Sequence, residues 1–324
     1  MQTLGDYLPT WAADLASRGE IRRSTAMSYE TSVRVHLVPR LGKVQLQQLT
    51  RGDIKAAYEQ LRIGGRARGA RGGLSAKTVH NVHLCLHRAL NDALDEGLVK
   101  SNAANGAHKL STDRPEMVCW SADELRRFLD LVSADERYPL WRLAASTGMR
   151  RGELLGLRWR DVDLDRARLQ VSQQLARGGP SAAFGPPKTR AGRRNIALDP
   201  TTVEALRAQL RAQAPNRLAV GAAYRNDLDL VFTRVDGSPL DPDVVSQQFD
   251  RWVSKSGAKR ITLHGLRHTH ATLGLQAGVH PEVMRERLGH SSIAVTLDLY
   301  SHAIPAMQED AAARIAAVVD GIRG

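Results

Sequence analysis

Apolar positions in the first hundred residues recur at helical spacing. From Leu4 they return at Tyr7, Leu8, Trp11 and Leu15, one stripe of a helix. A second helix is predicted over Thr25–Val38, stopped by Pro39 and Gly42. Thr50, with Asp53 three residues on, caps a third that runs to about Leu61. Ser75 caps a fourth, with Val79, Val82, Leu86, Leu90 and Leu94 on one face and Gly97 past its end. Residues 62–74, RIGGRARGARGGL, interrupt the pattern with five glycines and four arginines. Such a segment builds no core; it reads as a solvated loop, and equally as one that orders on phosphates.

Residues 101–117 are small, polar and without period, which marks an interdomain connection. The predicted organisation is a helical domain over 1–107, a linker over 108–117 and a second domain over 118–324. Ser121 and Glu124 form a capping box ahead of Leu125, Phe128, Leu129 and Val132. Leu140–Ser146 predicts a further helix ending at Gly148. Residues 166–175 and 193–198 alternate as strands do, predicting a small antiparallel sheet. Helical patterns return from Ser246 to the end. The fold class expected is mainly α: a helical N-terminal domain, then an α-rich domain holding a small antiparallel β-sheet.

Charge narrows the range of partners. The formal net charge is +12, with a surplus of six cations in residues 1–107 and six in 108–324. Such a balance favours a polyanion, and both halves are able to face it. Lysine occurs at only eight positions, so arginine carries most of the charge. Its planar fork suits phosphate, although GC-biased coding accounts for much of the excess. Cys85 and Cys119 are the only cysteines, which fits a reduced cytoplasmic protein better than a disulfide scaffold. No membrane span or secretory signal is expected.

Cutting a phosphodiester without metal requires cations on the non-bridging oxygens, a nucleophile, and an acid for the leaving 5′ oxygen. The second domain offers each type. TGMRRGEL places Arg150 after a helix-ending glycine; PPKTRAGRR places Lys188 on a hairpin; HGLRHTHATL places His264 and Arg267 on one face of a helix start. LGHSS places His290 at a Gly-marked helix end, and DLYSH supplies Tyr300 ten residues later. His-x-x-Arg alone means little in so arginine-rich a chain; the order Arg, Lys, His-x-x-Arg, His, Tyr in one domain means much more. His264, His268 and His270 also raise the question of a metal site, but no cysteine or carboxylate cluster joins them.

With TGMRRGELLGLRWRDVD, PPKTRAGRR, LVFTRVDGSPL, ITLHGLRHTHA and LGHSSIAVTLDLYSH, the chain resembles the tyrosine recombinase or phage integrase family over essentially its whole length. YETSVRVHLVPRLGKVQLQQLT and LSAKTVHNVHLCLHRAL resemble that family's core-site-binding helical domain. The resemblance implies Arg150 and Arg267 as a phosphate clamp, Lys188 as acid to the 5′ oxygen, and His264 as base or orienter. It implies His290 as a further hydrogen bond to the phosphate, Tyr300 as nucleophile and Glu153 in support of the first arginine.

The function expected from it is site-specific recombination through a 3′-phosphotyrosine, with no cofactor, metal or ATP. The expected partners are double-stranded DNA sites, a tetramer of this chain on two such sites, and a directionality factor. The helix expected over 305–324 would dock on a neighbouring protomer. The sequence begins directly with core-binding helices, where many phage integrases carry an extra arm-binding domain first; either such a domain has been trimmed away, or, the reading preferred, the protein works on short, simple sites. Rival readings are a type IB topoisomerase, a helical DNA-binding regulator with an idle Tyr300, and an RNA-directed or phosphatase-like enzyme. The full set of basic residues argues against the regulator, and the two-domain plan against the topoisomerase.

Overall fold

The computed structural model describes residues 2–65, 72–108, 117–176, 183–187 and 189–293, together with Ala316. The chain divides into two compact units, Met1–Pro115 and Glu116–Gly324. Lys188, Tyr300, most of the expected linker and the helix expected over 305–324 lie outside the described residues.

The first unit is helical. α1 (Leu4–Ser17) buries Leu4, Tyr7, Leu8, Trp11 and Leu15, the stripe read from the sequence. α4 (Arg51–Gly64) begins at the Thr50–Asp53 capping box, and α5 (Ala76–Asp95) at Ser75. On α5, Val79, Val82, Leu86 and Leu90 are buried, but the stripe then passes through Ala93 and leaves Leu94 exposed. The expected stop at Pro39 needs correction. α2 (Arg23–Thr31) runs into a π-helical turn at Ser32–Leu37 and then into α3 (Val38–Leu41), with Pro39 inside. The Val38 N–H bonds Val33 O, one residue further back than in an α-helix. A widened turn here relieves the contact that the Pro39 ring would otherwise make with the preceding turn, so the chain keeps coiling until Gly42.

A group of histidines packs together in this unit, with His83 buried and His80 and His108 half-buried. Rings of His80, His83 and His108 lie 5.3–6.3 Å apart, and Tyr58 Oη is 3.1 Å from His83 Nδ1. Burial, followed by the neighbouring His108, His87 and His80, pushes His83 down to about 4. Its unfolded value is near 6.5, so neutral His83 contributes stability above that pH, and the contribution is lost as pH falls through 4. Acid melting of the whole chain is therefore expected to be shallower for His83→Gln than for the parent between pH 6.5 and 4. Parallel melting curves for the two proteins would contradict this.

In the second unit, α6 (Ala122–Leu131) starts at the Ser121–Glu124 capping box and α7 (Tyr138–Thr147) ends at Gly148. A short α8 (Arg151–Leu155) follows. The strand region makes two sheets rather than one. β1 (Val162–Asp163), β2 (Arg168–Val171) and β5 (Arg194–Ala197) form an antiparallel sheet in the order β1-β2-β5, while β3 (Gln174–Ala176) pairs with β4 (Ala183–Gly185). Ser172 and Gln173, in neither strand, separate β2 from β3.

α9 (Pro200–Val220), α10 (Pro242–Ser256), α11 (Leu263–Gln276) and α12 (Pro281–Leu288) complete the unit. Its core centres on Trp120, Phe128, Trp141 and Phe249, with ring centroids 5.0–6.2 Å apart. Trp120 is fixed further, donating its indole N–H to Lys259 O at 2.6 Å and its backbone N–H to Thr269 Oγ1 at 3.1 Å. That ties the start of the unit to α11, the helix carrying His264 and Arg267.

Candidate active site

Two helix ends build the site. α7 and α12 both finish on a glycine in left-handed backbone, Gly148 at φ 62° and Gly289 at φ 66°. A side chain at Gly148 would strain that backbone and would place its Cβ 2.7 Å from Leu288 and 2.8 Å from His270. The glycine thus lets the end of α7 approach α11 and α12 closely. Carbonyls at both helix C-termini carry partial negative charge and lack intrahelical partners. Arginine side chains take them.

Arg267, almost wholly buried on α11, donates to Gly148 O and to Leu288 O, each at 2.7 Å. Arg150, just after the α7 end, donates to Gly289 O at 3.1 Å. It remains about one-third exposed. Burial and the nearby Arg150 push Arg267 down to about 9, so its charge persists at neutral pH.

Glu153 holds the frame from beneath. Its carboxylate, 1% exposed, accepts from the Arg150 backbone N–H at 2.9 Å and guanidinium at 2.8 Å, and from Arg194 Nη2 at 2.9 Å. Burial raises its pKa, but Arg194 and Arg150 outweigh this and hold it below the usual carboxylate range. Arg194 is itself buried and donates to Arg287 O at 2.6 Å and Gly192 O at 3.0 Å. Arg287 in turn donates to Ser146 O, Ala197 O and His270 Nε2. Breaking such a buried pair from one side leaves an uncompensated charge, costing about 3–5 kcal/mol. Glu153→Gln is expected to lower the melting temperature of the second unit by about 10 °C. A drop of a degree or two, read by differential scanning calorimetry, would count against this role.

The histidines gather around the same arginines. His264 starts α11 with an exposed surface, and its ring meets that of His268 edge-on at 4.7 Å. Desolvation by the surrounding protein, then His268, Arg267 and Arg150, pushes His264 down to about 4. His290 follows Gly289 and is buried, and burial followed by Arg267 and Arg150 pushes it to about 4 as well. Both are neutral at pH 7 in the free protein. Among the described residues, no group of three or more His, Cys, Asp or Glu is placed to hold a metal ion.

Arg150, Glu153, His264, Arg267 and His290 are therefore neighbours, from three separate stretches of sequence. Lys188 and Tyr300 lie outside the described residues. Sequence reading missed Arg194 and Arg287. A signal for Arg194 was present: it shares the inward alternation of Ile196 and Leu198, and an arginine at a core position of a strand needs a partner.

Residues 121–307, more than half of the chain, match the phage integrase family, and the chain belongs to that family. It is a tyrosine recombinase, an enzyme of site-specific DNA recombination. It is 26% identical to a "Tyrosine recombinase XerC-like" of Caldanaerobacter subterraneus subsp. tengcongensis, over 95% of this chain and 81% of that protein. It is 27% identical to the ICEBs1 integrase of Bacillus subtilis over 75% of this chain, but spans only 66% of that protein's length. A structure of the Tn1549 transposon integrase in complex with transposon right end DNA superposes with a TM-score of 0.78. That match covers 97% of this chain and all of the other at 24% identity, and shows a shared fold. No helix among the described residues is long and apolar enough to cross a membrane.

Proposed function

We propose that the second unit cuts DNA by attack of the Tyr300 phenolic oxygen on a phosphorus atom. The new P–O bond makes a 3′-phosphotyrosine as the P–O5′ bond breaks. Arg150 and Arg267 hold the non-bridging oxygens, and Lys188 delivers the proton that the 5′ oxygen takes up. His264 serves as base or orienter, and His290 adds a hydrogen bond to the phosphate. The ester conserves the energy of the broken bond, so a 5′ hydroxyl from another duplex rejoins the strand without ATP. The observation that carries this reading is the pair of cationic side chains fixed on two converging helix ends before any ligand arrives, the preorganisation that charge stabilisation needs.

The first unit is the core-site binder, and the cationic surplus in both 1–107 and 108–324 suits each half to contact with the duplex. Recombination needs four cuts, so four protomers act on two sites, with residues 305–324 docking on the next protomer. A lambda integrase tetramer bound to a Holliday junction, of similar fold, supports that assembly. A directionality factor is the further partner proposed, and the bacterial cytoplasm the place of action. Incubation with a library of duplexes in excess chelator, followed by sequencing of covalently trapped DNA, tests the reading. A shared core sequence among trapped duplexes is expected. Trapping that fails in chelator and returns with Mg²⁺ or Zn²⁺ would overturn the arginine-based mechanism.

A further inference from the structure

Arg193 stands apart from the arginines of the site. It is exposed and makes no hydrogen bond or ion pair among the described residues, whereas its neighbour Arg194 is buried and held by three partners. It lines a cleft of about 500 Å³ between the two small sheets, together with Arg158, Gln170, Gln173, Phe184 and Pro186. Arg158 is already neutralised there, its guanidinium bonding both carboxylate oxygens of Asp161 at 2.6 and 3.2 Å. Among the described residues, the cleft therefore carries one uncompensated positive charge, at Arg193. Gln170, exposed on the outward side of β2, adds a side-chain amide with no hydrogen-bond partner among the described residues.

We propose that this cleft binds one backbone phosphate of duplex DNA, with Arg193 as its cation, away from the phosphate that is cut. The proposal rests on the reading that the second unit acts on duplex DNA. One phosphodiester charge matches the guanidinium of Arg193, and the amide adds a hydrogen bond to a phosphate or sugar oxygen. The cleft is also tied to the site by one residue of chain: Arg194 fixes the start of β5 to Glu153, and Glu153 fixes Arg150. A duplex presents a phosphate about every 3.4 Å along each strand. A second cation on the same rigid frame therefore sets the register of the duplex relative to Arg150, without reading sequence.

The test is a salt titration of full-length protein on a pool of random-sequence duplexes, comparing the parent, Arg193→Gln and Arg193→Lys. Losing one phosphate contact is expected to reduce the slope of log affinity against log salt by about 0.9. Arg193→Gln should show that loss, weaken binding alike across the pool, and melt with the parent; Arg193→Lys should keep the slope. An unchanged slope in Arg193→Gln overturns the proposal. So does an unchanged slope with altered sequence preference, which would make Arg193 a base reader. A slope loss accompanied by a lowered melting temperature, and shared by Arg193→Lys, would assign the effect to folding and also overturn it. A parent that binds no duplex would instead fail the functional reading, and this proposal with it.

Discussion

Tyr300→Phe is expected to bind duplex DNA like the parent and to form no covalent adduct at all. The substitution removes one oxygen and leaves the ring, so packing and charge are unchanged while the attacking atom is gone. The other groups proposed for the chemistry, Arg150, Arg267, His264, His290 and Lys188, are untouched, which is why binding should persist. The readout is a protein–DNA band that survives denaturant, set beside a gel-shift of the same samples. An adduct formed by the Phe variant would place the nucleophile elsewhere and remove the central step of the mechanism.

Arg267→Lys is expected to slow adduct formation by about 10²–10³-fold. Arg267 spends one guanidinium nitrogen on Gly148 O and the other on Leu288 O, so its fork bridges the two helix ends. A lysine keeps the charge, but as a compact ammonium it cannot span both carbonyls in one plane. The loss should therefore be of alignment more than of attraction. Single-site affinity is expected to fall much less than the rate of adduct formation, because the contacts proposed for the first unit and Arg150 remain. The measurement is a single-turnover rate alongside an equilibrium gel-shift. A Lys variant within about threefold of the parent rate would show that bridging the helix ends has no bearing on the transition state.

Features set by a few neighbouring residues were legible in the sequence. Thr50 with Asp53, Ser75, Ser121 with Glu124, and Gly148 mark helix ends through contacts within three or four positions, and the helices begin and end there. α9 went unread, although it runs for 21 residues. Its buried positions include Thr202, Ala205 and Gln213 besides Val203 and Leu206, and Pro215 lies inside it, so no apolar stripe announces it. Gln213 is buried because its side-chain amide donates to Leu230 O and Val231 O, partners far along the chain.

Pro39 and the split sheet were misread for a related reason. Whether a proline ends a helix depends on the turn before it, and whether strands share a sheet depends on pairing that alternation does not specify. For the site, the motifs named Arg150, Glu153, His264, Arg267 and His290 individually. The carbonyl partners that bring them together are backbone atoms, which no motif records. That is also why Arg194 and Arg287, whose partners are largely main-chain oxygens, went unnoticed.

That reliance on main-chain oxygens bears on how the site tolerates mutation over generations. Arg267, Arg194 and Arg287 grip the carbonyls of Leu288, Arg287, Ser146 and Ala197. A carbonyl is supplied by every amino acid, so the gripped positions can drift in sequence while each contact survives. At Gly148 and Gly289 the unusual backbone itself restricts the residue type of the anchor. Substitutions accumulating around this site should thus spare the arginines, Glu153, His264, His290 and the two glycines, and fall more freely at exposed positions such as Ala197 that lend only a carbonyl.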